Sequence, residues 1–255
     1  MTSDSLFDLE GSSILVAGGA GGLGAPLAEA LAQRGARLVI ADLNAERTAA
    51  TVERLKQQGA AAVAARLDVV DPASCSTVID KTVETYGRID GVLNATGVYR
   101  VADAVDLPDS DWRLTIDINL TGAFRLARAA GCVMLAQGHG RIVTIVSVSS
   151  AVANPGYAAY AASKAGVAHL TRVLAVEWAP HGVTVNAIGP SVIPTALSQP
   201  ILDNETARSA ALARIPAGRF GTPDDIVGAA VFLLSPASAF VTGQTLYVDG
   251  GRTCS

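Results

Sequence analysis

Tyr160 and Lys164 stand four residues apart in a stretch of helical apolar spacing, so both side chains lie on one face and can share one site. A free tyrosine, with a pKa of about 10, is a poor base at neutral pH. A neighbouring ammonium favours the phenolate, so Lys164 is expected to lower the pKa of Tyr160. That would fit the phenol to give a proton to a carbonyl oxygen or take one from an alcohol. With five Tyr and three Lys in the chain, chance would supply roughly 0.06 such pairs. Ser147 lies 13 residues ahead of Tyr160, just past a run of strand character. From there its hydroxyl can hold a carbonyl oxygen and stabilise charge as it develops.

Chemistry of this kind needs a redox partner, and a second cluster suggests one. Five of the seven residues from Gly18 to Gly24 are glycine, set between a predicted strand and a predicted helix. Backbone without side chains can approach a pyrophosphate closely, and the free N–H groups of a helix start favour its negative charge. Asp42 follows 18 residues beyond Gly24, at the end of the second predicted strand. An acid there can accept hydrogen bonds from ribose hydroxyls and would repel a 2′-phosphate. Neither Leu43, Asn44 nor the glycine loop supplies a cation to offset that repulsion, so NAD is expected over NADP.

The elements that must position these residues are legible as an alternation of short β-rich runs and longer helical stretches from residue 13 to residue 248. Such alternation indicates a parallel sheet with helices on both faces. Strands are predicted at 14–17, 37–41, 62–67, 89–93, 141–146, 183–187 and 246–248, with helices over about 45–58, 109–137 and 157–179 between them. Asn44, Asp71-Pro72 and Thr222-Pro223 carry the chemistry of helix starts. Pro190, Pro194, Pro200 and Pro216 break the rhythm across 189–221, and a substrate loop is expected there at about 191–217. No linker or repeat divides residues 1–255, which read as a single domain.

The composition limits the function further. The chain is half hydrophobic and 16% charged, apolar enough to bury a large core. Its mean hydropathy of +0.37 comes without any uncharged apolar run near the ~20 residues a membrane span needs. The acidic start Met1-Thr2-Ser3-Asp4-Ser5 lacks the form of a leader, so a cytoplasmic protein is expected. A formal net charge of −4 argues against nucleic acid as a partner. Cys75, Cys132 and Cys254, like His139, His169 and His181, lack metal-ligand spacing, and no metal is expected.

At this level of detail the chain resembles the classical short-chain dehydrogenase/reductase family over essentially its whole length. The glycine loop appears as Ala17-Gly18-Gly19-Ala20-Gly21-Gly22-Leu23-Gly24, with alanine in place of the family's threonine, and the end of strand four as Asn94-Ala95-Thr96-Gly97, with Ala95 in place of a second asparagine. The resemblance implies a Rossmann-type doubly wound fold of seven parallel strands in the order 3-2-1-4-5-6-7. It implies a catalytic set of Asn119, Ser147, Tyr160 and Lys164, with Lys164 also on the nicotinamide ribose and Asn119 holding a water that links Lys164 to solvent. Further cofactor contacts would come from Leu43, Asp68-Val69, Asn94, Ala95, Gly97, Tyr160, and from Pro190, Ile193 and Thr195 in a loop where Ser191 replaces a glycine. Arg214–Gly221 and Val248–Gly251 are similar to the family's C-terminal region.

The function expected is NAD(H)-dependent interconversion of a secondary alcohol and a ketone, on a small-to-medium apolar molecule. The loop and Ala151, Val152, Asn154 and Tyr157 would line the pocket, with Arg100 the cation expected to meet any acidic group. Reduction of 3-oxoacyl groups on a carrier protein is the alternative, against which Met134–Gly138 offers no cation for carrier recognition. A nucleotide-sensing or scaffold protein without chemistry would be expected to lack the tyrosine or lysine. The resemblance also implies a homotetramer built through the long helices.

Overall fold

The strand segments that read as continuous apolar runs are buried on both faces, as the inner strands of a parallel sheet must be. The computed structural model describes residues 6–254, and the acidic start Met1–Ser5 lies outside them. Seven strands form one sheet: β1 (Ser13–Ala17), β2 (Arg37–Asp42), β3 (Ala62–Arg66), β4 (Gly91–Asn94), β5 (Gly140–Ile145), β6 (Val183–Pro190) and β7 (Thr245–Val248). Their order is β3-β2-β1-β4-β5-β6-β7, with every pairing parallel. The order expected from the resemblance is the one found.

Alternate residues of each strand serve opposite faces. Ile14 and Val16 of β1 pack into one cluster with α1 (Gly24–Ala32), α2 (Ala45–Gln57) and the C-terminal helix Pro223–Leu234. Leu15 and Ala17 pack into the other, against α3 (Pro72–Tyr86), Leu126, Ala130 and Met134 of the long central helix, and Leu174, Ala175 and Trp178 of the helix that follows β5. Helix starts form where their capping residues stand. The Asn44 side chain accepts from Arg47 N at 2.9 Å, and Asp71 accepts from Ala73 N at 2.9 Å with Pro72 in the first turn. Thr222 and Asp225 make a reciprocal capping box.

Three expectations are corrected. The long helix is not uniform: α4 (Asp109–Ile116) runs through a π-helical turn at Asp117–Thr121 into α5 (Gly122–Gln137). The next helix is α6 (Ala158–Trp178). Strand six continues to Pro190, where the missing N–H falls at the last position of the strand and costs little of the ladder. The irregular stretch after it holds two short helices, α7 (Gln199–Leu202) and α8 (Glu205–Leu212), ahead of α9 (Pro223–Leu234). Asn204 caps α8 by accepting from Ala207 N at 2.9 Å, a start signal hidden among the prolines. Among the described residues no helix is long and apolar enough to cross a membrane.

Candidate functional site

Parallel strands all end at the same edge, and loops leaving that edge at the point where strand order reverses form a crevice. Here β1 and β4 pair side by side while the chain leaves them in opposite directions, toward β2 and toward β5, and a cavity of about 610 Å3 opens beside them. The glycine loop makes one wall. Gly18 adopts φ +72°, a left-handed conformation, and a side chain on it would meet the Ala95 backbone at 2.8 Å. A side chain on Gly24, the first residue of α1, would overlap the Gly18 carbonyl oxygen. Bare backbone at Gly21, Gly22 and Gly24 therefore faces the cavity at a helix start, a cradle that suits a pyrophosphate.

Ser147, Tyr160 and Lys164 line the same cavity. Ser147 ends the segment after β5, and its Oγ accepts from Ser149 N at 3.1 Å, which fixes the turn that presents it. Tyr160 and Lys164 project from the first two turns of α6 and are only 8% and 5% exposed. The phenol ring is held edge-on by Tyr99 and Tyr157, with centroids 5.1 and 6.3 Å away. Lys164 Nζ donates to the carbonyl of Ile145, the last residue of β5, at 2.9 Å, and sits 5.8 Å from the Tyr160 ring centre.

This arrangement overturns the expected direction of the phenol's shift. Burial pushes Tyr160 up to about 12, while a hydrogen bond with the Ser147 hydroxyl pulls it down and Tyr157 adds to the rise. Burial likewise brings Lys164 down to about 8. The ammonium is turned toward a backbone carbonyl, and burial is the largest cause of the phenol's rise. At neutral pH the phenol keeps its proton.

Asn119 lies in the π-helical turn, where Gly122 N–H donates to the Asp117 carbonyl. Such wide turns recur at functional sites. Its Oδ1 accepts from Val98 N at 2.8 Å, and its Nδ2 donates to Val98 O at 2.9 Å and Ser163 Oγ at 3.1 Å. Asn119 thus pins the segment leaving β4. A methyl group on Gly97 would stand 3.2 Å from Asn119 Oδ1 and 3.5 Å from Lys164 Nζ, so both polar atoms flank the same glycine.

The structure sorts the expected residues into two groups. Gly21, Gly22, Leu23, Gly24, Ala95, Gly97, Pro190, Ile193 and Thr195 line the cavity beside the reactive three. Gly18, Asp42, Leu43, Asp68, Val69, Asn94 and Asn119 do not line it. Asp42 borders the glycine loop, with Oδ2 accepting from Ala20 N at 3.4 Å. Leu43 is exposed, and Val69 is buried against α3 and α5. Asn94 accepts from both N and Oγ1 of Thr96, at 3.1 and 2.7 Å, which closes the turn that Ala95 enters.

Ala151 and Val152 are corrected: neither lines the cavity, although Asn154 and Tyr157 do. Arg100 is corrected too, since its side chain turns to the Tyr99 carbonyl at 3.2 Å and to Asp111 at 4.0 Å. Sequence reasoning missed Tyr99, Arg47 and Arg252 as lining residues, while Arg214 lies within the loop expected to line the cavity. Tyr99 follows Gly97 by two residues, a signal of proximity to the site; burial and then a hydrogen bond with Tyr157 hold its phenol far above the usual range. Among the described residues no cluster of His, Cys, Asp and Glu is arranged to hold a metal.

The family model described as enoyl-(acyl carrier protein) reductase matches residues 18–253. D-threitol dehydrogenase of Mycolicibacterium smegmatis is 42% identical over 99% of this chain and 97% of its own. The 5-keto-D-gluconate 5-reductase of Escherichia coli is 36% identical over 97% of this chain and 98% of its own. Among solved structures, a gluconate 5-dehydrogenase of Burkholderia cenocepacia, in complex with NADP and tartrate, superposes with a TM-score of 0.95 at 39% identity, covering 98% of each chain. Likeness of sequence and fold along nearly the full length of chain and relatives alike shows that the protein belongs to the classical short-chain dehydrogenase/reductase family.

Proposed function

We propose that the chain interconverts a secondary alcohol and a ketone by hydride transfer with NAD(H), within one domain that both binds the dinucleotide and performs the chemistry, with 191–217 as its substrate loop. It is an oxidoreductase acting on CH–OH groups, as its family is. The observation that carries the mechanism is a single cavity lined by Ser147 and Tyr160 at one place and by bare glycine backbone at another. The nicotinamide, when bound, supplies or takes up the hydride.

The chain's own residues do the rest. Ser147 Oγ and Tyr160 Oη bind the substrate oxygen and hold the carbon in line for transfer. As charge develops on that oxygen, Tyr160 donates its proton, and in the reverse direction it accepts one. Lys164 holds the ribose side of the cofactor. Asn119 positions the segment from Gly97 to Val98 and would complete a proton path toward solvent through a water.

Asp42 supports NAD. Its carboxylate borders the glycine loop, where it would repel a 2′-phosphate, and Leu43 and Asn44 beside it carry no charge. Arg47 lines the cavity from the first turn of α2 and is the cation that would favour NADP at that end. Asp42, which ends β2 beside the glycine loop, carries the NAD reading against Arg47. The assembly proposed is a homotetramer, supported by apolar side chains left on the surface of α6 and before β7, with Val176 78% exposed and Phe240 fully so.

Following the absorbance of the reduced nicotinamide over a panel of ketoses, keto acids and simple ketones, with NADH and NADPH in parallel, tests the reading. Consumption with NADH at the higher kcat/KM is expected. A higher kcat/KM with NADPH would overturn the role given to Asp42, and no consumption with either cofactor on any substrate would overturn the oxidoreductase reading itself.

A further inference from the structure

The cavity carries a cationic end that hydride transfer does not use. Arg214, just past α8, donates from Nη1 to Asn154 Oδ1 at 2.9 Å, and Arg252, near the C-terminus, approaches the same oxygen with Nη2 at 3.4 Å. Three segments far apart in sequence thus converge, and all three residues line the cavity that holds Ser147 and Tyr160. We propose that Arg214, Arg252 and Asn154 form a carboxylate-binding subsite, so that the substrate is a polyhydroxy acid or its keto form. This rests on the function proposed above and narrows it.

Asn154 is a neutral acceptor with two lone pairs, whereas each guanidinium offers five N–H donors in a planar fork. The amide oxygen therefore orients the Arg214 fork without matching its charge. Among the described residues the Arg214 side chain meets Asn154 and no carboxylate, and no Asp or Glu side chain lines the cavity at all. A ligand carboxylate is the group whose geometry fits a guanidinium fork and whose charge such a cavity lacks. Apolar lining is not absent: Val192, Ile193, Leu197 and Ile201 of the substrate loop form one wall. That wall suits a carbon chain lying between a charged end and a reacting carbonyl.

The relatives divide along this line. One is named for a neutral tetritol, one for a keto-aldonate, and the solved gluconate 5-dehydrogenase holds tartrate, a hydroxy diacid. On this proposal, the chain takes an acid rather than a neutral polyol.

Steady-state reduction of 5-keto-D-gluconate is to be compared with that of D-fructose, an uncharged ketose of equal carbon number, for wild type, Arg214→Gln and Arg252→Gln. The wild type is expected to prefer the keto acid. Each variant is expected to lose about 10- to 100-fold in the ratio of the two kcat/KM values, mainly through the KM of the keto acid, as befits loss of a charged hydrogen bond. Arg214→Lys, which keeps the charge without the fork, should recover part of the loss.

Equal loss on both substrates would mean that the arginines only tie the loop to Asn154, and a wild type that favours the ketose would mean no carboxylate subsite; either overturns the proposal. If neither substrate is reduced, the oxidoreductase reading fails separately. Calorimetric titration of D-gluconate into the protein with reduced cofactor then reads the subsite alone. Binding that weakens about 10-fold or more in Arg214→Gln sustains it, and no binding by the wild type overturns it.

Discussion

Tyr160→Phe is expected to lower kcat by about 10²- to 10⁴-fold while cofactor affinity is largely kept, the span typical of losing a positioned general acid. The substitution removes one oxygen and leaves the ring, which packs edge-on between Tyr99 and Tyr157. Those contacts are indifferent to the hydroxyl, so the cavity should keep its shape. What disappears is the proton that burial holds on the phenol at neutral pH. Stopped-flow turnover together with a fluorescence titration of NADH separates the two effects. Turnover retained within a few fold would remove Tyr160 from the chemistry, and lost cofactor binding would show that its role is structural.

Ser147→Ala is expected to cost about 10²- to 10³-fold in kcat, the scale found when one donor to a developing oxyanion is deleted. Ser147 has a second task, since its Oγ accepts from Ser149 N at 3.1 Å, but losing such a cap typically costs about 1 kcal/mol and should leave the protein folded. A thermal melt alongside the kinetics distinguishes the two. A large loss of rate with a melting temperature shifted by only a few degrees fits direct binding of the substrate oxygen. A rate loss accompanied by collapse of the fold would assign Ser147 to the turn after β5 instead.

Much of this site can be read from the chain because its parts are local. The Tyr160 and Lys164 spacing, the glycines from Gly18 to Gly24, and the caps at Asn44, Asp71 and Thr222 each act within one or two turns of backbone, and each stands where it was expected. The strand order follows from the resemblance, and the parallel pairing from alternation of element types. What was not legible is the product of long-range packing. The π-helical turn around Asn119 leaves no mark in apolar spacing, because a single wide turn is absorbed into an otherwise helical pattern. Depth of burial decides that the Tyr160 phenol rises, and spacing along a helix says nothing of depth or of the Ile145 carbonyl that draws Lys164 away. Arg214 and Arg252 reach Asn154 across 60 and 98 residues of sequence, whereas Arg100, closer to the site in the chain, turns toward Asp111.

Transfer of isotope tests the central claim most directly. Incubating the protein with NADH deuterated at nicotinamide C4, a ketone it reduces, and ordinary water, then analysing the alcohol by mass spectrometry and NMR, reports where the hydrogen goes. Deuterium at the carbinol carbon in wild type, from one face of C4 only, and the same label in an alcohol formed about 10²- to 10⁴-fold more slowly by Tyr160→Phe with NADH still bound, are the results expected of a hydride donor held beside Ser147 and a proton supplied by Tyr160. Alcohol formed without deuterium at that carbon, or with label from both faces of C4 alike, would contradict it.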